Sequence, residues 1–166
     1  MRLLINAVFA ATVGYTLSVL INSSVSAATL VGFGIEVTIG DRFQMFATEW
    51  LGLASTYLLI YVLLHTVIFL LVNHFAYNAD EPRVSNPATG HALFAIAGAL
   101  SLLLVYMGLD TAMGLSGVLV ASGRTVGGLM AHVATGAASG LIFSRLSDRS
   151  STSLIFSRLS DRSSTS

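Results

Sequence analysis

Apolar residues fall into four long runs separated by short polar connections: residues 3–21, 51–72, 92–109 and 125–143. A bilayer core of about 30 Å takes about 20 mostly apolar helical residues. Each run therefore predicts a transmembrane helix; the second is the most apolar and the fourth the least. The predicted fold is all-α, a four-helix transmembrane bundle with a short outer interfacial segment. It forms one domain over residues 1–146, followed by a polar, Ser-rich tail over 147–166. The first run has a rival reading. Arg2 is a minimal basic start, and Val25-Ser26-Ala27 fits the small-residue cleavage site of a signal peptide. The apolar stretch exceeds the usual length of a signal-peptide core, which favours a retained helix.

The longest connection, residues 22–49, is placed on the outer face. Within it Thr38 precedes Asp41 by three positions, as in a capping box with Asp in place of the usual Glu. This predicts a short interfacial helix from about Ile39 that runs into the second span. Alternating polarity over residues 34–39 makes a short strand the competing expectation. The inner connection, residues 73–90, holds both prolines (Pro82, Pro87) and reads as a turn-forming loop. The third, residues 110–124, is glycine-rich and partly apolar, so it reads as a re-entrant or interfacial segment. Arginine placement orients the chain. With both termini inside, Arg2, Arg83, Arg145 and Arg149 are cytoplasmic, while Arg42 and Arg124 face out.

Composition narrows the class. Apolar residues make up 54% and charged residues 10%, against the roughly 25% charged residues of a soluble domain. There is no lysine, and eight arginines meet eight acids, which removes a nucleic-acid partner from consideration. With no cysteine, disulfides, thiolate metal sites and a cysteine nucleophile are excluded. Residues 141–153 recur letter for letter at 154–166. A solenoid needs more units than two, so the second copy reads as a duplication or assembly artefact in a tolerant tail.

Polar groups inside a bilayer are costly, so each is a functional candidate. Tyr57, Tyr61 and His65 are spaced by four on the second span and share one face. They either hydrogen-bond into the bundle or form a ligand face or proton path. On the fourth span, Gly128, His132, Gly136 and Gly140 follow at the same spacing, beside Ala131, Thr135 and Ser139. Small residues let another backbone approach closely. Ala10, Gly14 and Ser18 form a thinner version on the first span. Both small faces are expected to pack against the bundle or a partner. A single b-type haem between His65 and His132 meets a depth mismatch of roughly 10 Å at 1.5 Å per residue. His74 and His91, with Asp80 and Glu81, lack the short ligand spacing of a metal site. No acid lies within a predicted span, and no nucleophile elbow, zinc-protease or P-loop pattern occurs.

Two stretches carry a resemblance. One is Gly40-Asp41-Arg42-Phe43-Gln44-Met45 leading to Leu51-Gly52-Leu53-Ala54-Ser55-Thr56-Tyr57-Leu58. The other is Gly123-Arg124-Thr125 before a Gly/Ala-rich helix ending at Arg145. Together they resemble small, uncharacterised bacterial inner-membrane proteins with four hydrophobic segments. The resemblance implies that topology and location, and no activity. The sequence thus predicts a non-enzymatic membrane protein without cofactor. The leading expectation is an accessory subunit or assembly factor bound to a membrane-protein partner, or a homo-oligomer. The alternatives are a haem b- or quinone-binding anchor using His65 or His132, and a small transporter or channel lined by Tyr57, Tyr61 and His65.

Overall fold

The computed structural model describes residues 1–77, 86–113 and 125–163, with side chains over 1–77, 86–106 and 125–148. All its regular elements are helical, and no strand occurs among the described residues. They are α1 (Arg2–Gly32), α2 (Ile39–Leu53), a π-helical turn (Ala54–Leu58), α3 (Leu59–Tyr77), α4 (Pro87–Met113) and α5 (Val126–Ser163). Among the described residues, four stretches are long and apolar enough to cross a membrane: Arg2–Gly32, Ile39–Tyr77, Pro87–Tyr106 and Val126–Asp148.

α1 runs eleven residues beyond the predicted end at residue 21, through the candidate cleavage site. The polar stretch after Ile21 does not break it, because it contains neither Gly nor Pro and its side chains find local partners. Ser24 donates to the Leu20 carbonyl and Thr29 to that of Val25. Termination comes at Gly34, the one residue with positive φ (81°) among those described. The Ile35 N–H reaches the Leu30 carbonyl and the Gly34 N–H that of Val31. This is a Schellman cap, which needs a residue able to adopt the left-handed region.

The expected interfacial helix begins where the capping box places it. The Asp41 N–H donates to Thr38 Oγ1 (3.2 Å), and the Thr38 N–H donates to Asp41 Oδ2 (2.9 Å). Residues 35–38 form no strand. α2 then continues through the π turn into α3 without a loop. On this composite helix Leu59, Leu63, Val67, Leu71 and Phe75, spaced by four, are exposed. Tyr57, Tyr61, His65 and Phe69, offset by half a turn, are buried. One stripe is suited to lipid contact and the other enters the bundle.

The four spanning units form a closed ring in which α1 packs on α3 and α5, and α4 packs on α3 and α5. The closest crossing is between α4 and α5. A Cβ placed on Gly98 or Gly136 would overlap the other's carbonyl, and one on Gly140 would overlap that of Phe94. Across α1, a Cβ on Gly14 would meet Tyr61 Oη at 2.6 Å and Ser139 Cβ at 2.8 Å. Ala10 and Ser18 are also fully buried. On α5 Gly128 is buried and Ala131 half-buried. Both small-residue faces are therefore filled by helices of the same chain.

α5 extends to Ser163, where a polar tail was expected after 146. The sequence after Gly140 contains no Gly or Pro to stop it, in either copy of the repeat. The third connection, expected to be re-entrant, falls largely outside the described residues, as do Asp80, Glu81 and Pro82 of the inner loop.

Candidate functional site: a buried polar column

The i, i+4 face of the second span becomes an aromatic ladder along the bundle axis. Tyr57 and Tyr61 meet edge to face at 5.8 Å between centroids. Tyr61 and His65 stack in parallel at 4.1 Å, and His65 meets Phe69 at 5.5 Å. α1 adds Tyr15, whose ring lies 5.8 Å from that of Tyr57 and 5.6 Å from that of Trp50. The polar tips of these rings are bonded at successive levels.

At the Trp50 end, Tyr15 donates to the Trp50 carbonyl (2.6 Å), and the Trp50 indole N–H donates to Thr16 Oγ1 (3.2 Å). Asn22 Nδ2 donates to Glu49 Oε2 at 2.9 Å. One level further in, Ser18 Oγ joins Tyr57 Oη (3.0 Å) to His132 Nδ1 (2.7 Å), and Tyr57 Oη also meets Tyr106 Oη (3.2 Å). The Tyr106 ring lies 5.3 Å from that of His132. Next, Tyr61 Oη lies 3.5 Å from Thr135 Oγ1, which donates to the His132 carbonyl. Last comes His65, with Nδ1 2.9 Å from the Tyr61 carbonyl and Nε2 3.0 Å from Ser101 Oγ. Below it, Phe69, Phe94 and Phe143 pack together with centroids 5.0–6.3 Å apart. Tyr57, Tyr61, His65, His132, Ser18 and Ser101 are all essentially sealed from solvent.

The structure brings Tyr57, Tyr61, His65 and His132 into one column, as the shared face suggests, but it does not bring the two histidines to one depth. His132 is tied through Ser18 to Tyr57, and His65 lies eight residues, about 12 Å, further along the helix. Both ring nitrogens of His65 are engaged, and the space beside Gly136 and Gly140 is filled by α4. One bis-histidine haem does not fit this arrangement.

Sequence reasoning passed over Tyr15, Ser101 and Tyr106, and it took Ser18 for packing alone, though it is the hub of the His132 level. The signal was present: Ser101 and Tyr106 are polar groups within the predicted third span. His91 also has a partner set of its own. Its Nδ1 lies 2.8 Å from Ser144 Oγ and its Nε2 3.7 Å from Asp148 Oδ2. Ser, His and Asp meet here, but Ser144 sits within a continuous helix whose amides are spent on helix bonds. These contacts tie α4 to α5. His74 is exposed. Among the described residues no three metal-ligating side chains come together.

Comparison of the chain with protein-family models, with curated proteins and with solved structures gives no match. The site is therefore read from its own geometry.

Proposed function

We propose that this multi-pass membrane protein relays protons along the core of its bundle, a transport role carried by side chains and not by a cofactor. The observation that carries the reading is the buried column of hydroxyl, phenol and imidazole groups between Trp50 and Ser101. Each such group can both accept and donate a hydrogen bond, which a hopping proton requires. Packing alone needs far fewer polar groups in a lipid-embedded core, where each is costly. Bonds run within each level, so transfer between levels needs a ring rotation or a bridging water. The Phe69, Phe94 and Phe143 cluster closes the column towards His91, which suits a gated path better than an open pore.

A second reading, the accessory subunit, has one observation in its favour: Phe33, Ile35, Ile39 and Phe43 are exposed at the α1–α2 turn. The small-residue faces no longer support it, because they are filled internally. The arginine distribution supports an orientation with both termini inside, which puts the Trp50 end outside, and the resemblance to small bacterial inner-membrane proteins supports that location.

The test is proton flux into vesicles holding the purified protein and a trapped pH dye, driven by a potassium diffusion potential. The wild type is expected to acidify the lumen faster than empty vesicles, and Ser18→Ala, which cuts His132 from Tyr57, is expected to slow it at least several-fold. Flux equal to that of empty vesicles at both polarities would sink the relay and leave the accessory reading.

A further inference from the structure

We infer that His65 is the proton-binding site of this column, and that the Ser101 hydroxyl lets it hold one or two ring protons by turning between His65 Nε2 and the Gly98 carbonyl. The inference rests on the relay reading for its role, but its geometry stands apart.

A carbonyl oxygen only accepts, so the bond between His65 Nδ1 and the Tyr61 carbonyl fixes a proton on Nδ1. Ser101 Oγ has a single hydrogen and two acceptors within reach, the Gly98 carbonyl at 2.7 Å and His65 Nε2 at 3.0 Å. When the hydroxyl points to Nε2, the imidazole is neutral. When it points to Gly98, its lone pair faces Nε2 and accepts a second ring proton. Both arrangements leave every polar atom partnered, so the change costs one hydroxyl rotation and no repacking. The parallel stack on Tyr61 at 4.1 Å holds the imidazole plane in line with both of its partners.

Among the described residues no fixed charge competes. Among the described residues, the ionisable groups nearest His65 are Tyr61 on its own helix, Tyr15 of α1 beyond Tyr61, Tyr106 of α4 and His132 of α5. The last two lie at the Tyr57 level. α1 has no acid, and neither does residue range 51–77, 87–106 or 126–147. A proton on His65 therefore has no carboxylate to trap it, and a lasting charge is costly in a bilayer. The site is built to take a proton and release it. His132 differs, since Ser18 on its Nδ1 leads on to Tyr57 and Tyr106, a line of hydroxyls that hands a proton onward.

The experiment is ring ¹⁵N NMR of histidine-labelled full-length protein in lipid vesicles from pH 9 to pH 4. His65 is identified in a His74→Gln, His91→Gln background by comparison with His132→Gln. At high pH the neutral ring should carry its proton on Nδ1, the less common tautomer, and acidification should add one on Nε2. Ser101→Ala should shift that second step by one pH unit or more, and Ser101→Thr, which keeps a hydroxyl, should restore it. A neutral ring protonated on Nε2, no second step before unfolding, or a Ser101→Ala titration matching the wild type would overturn the inference. Titration of His65 without vesicle flux keeps this site and removes the relay. Flux without His65 titration removes this site and leaves the relay to His132.

Discussion

A glycine in a lipid-embedded helix can be a gap in the side-chain surface or a point where another backbone touches. Gly136 is of the second kind, with the Gly98 carbonyl where its Cβ would go. Backbone cannot move aside as a side-chain tip can, so overpacking there should cost about 3 kcal/mol. Gly127, on the same helix, has nothing within 4 Å of its Cβ position. Gly136→Ala should sharply lower the unfolding midpoint in mild detergent, while Gly127→Ala should stay within about 0.5 kcal/mol of the wild type. Equal midpoints for the two would remove the α4–α5 crossing as the closest contact of the fold. The same contrast shows what sequence could give at this scale. The i, i+4 spacing singled out Gly128, Gly136 and Gly140 as small positions, but spacing has no means of naming the neighbour. Gly98 stood unremarked in the third span, and only the crossing reveals that α4, and not another protein, fills the face. The hydroxyls were hidden for a related reason: Ser18 reads as small and Ser101 as incidental until Tyr57, His132 and His65 are seen beside them.

Helix starts were more legible than helix ends. Thr38 and Asp41 carry their own start signal, a pair of reciprocal bonds set by three-residue spacing, and α2 begins there. The end of α1 was missed because serine and asparagine after Ile21 resemble a loop, yet each can bond within or beside a helix. Gly34 was the better stop signal. The C-terminal ends of α1 and α5 are likewise drawn by polarity in sequence and by hydrogen bonding in space, and the two differ by eleven residues at α1 (21 against Gly32) and twenty at α5 (143 against Ser163). The cap gives a prediction confined to its element. Thr38→Ala removes the acceptor for the Asp41 N–H, and loss of such a cap costs about 1 kcal/mol. Amide exchange at residues 41–43 should speed up roughly five-fold, which is that energy expressed as a rate ratio, while amides around Tyr61 are unchanged. Faster exchange at both places would mean that α2 is not an independent unit but part of the bundle's global opening.

At the scale of the molecule, helix length decides what stands clear of the membrane. The unbroken stretch Ile39–Tyr77 has 39 residues, about 58 Å at 1.5 Å per residue, and Arg2–Gly32 has 31, about 46 Å. A hydrocarbon core is about 30 Å thick, or about 40–45 Å with its headgroups. The ladder from Tyr57 to Phe69 and its lipid-facing stripe must occupy that core, because His65, Tyr61 and Leu63 lie midway along the apolar segment. The α1–α2 hairpin is then left in the headgroup region or beyond it, carrying Glu36, Asp41, Arg42 and Glu49, four of the charged groups of a chain that has few. This placement can be tested cleanly, since the chain contains no cysteine. A cysteine at Gln44, on an exposed position of α2, should react with a membrane-impermeant maleimide in intact cells if the Trp50 end faces out. A cysteine at Leu63, also exposed on the helix but facing lipid, should react only after detergent is added. Labelling at Gln44 only in broken cells would reverse the orientation drawn from the arginines without touching the fold. Labelling at Leu63 in intact membranes would be more serious, because it would put water against a stripe that the bundle presents to lipid, and the column behind it would no longer be sealed from water.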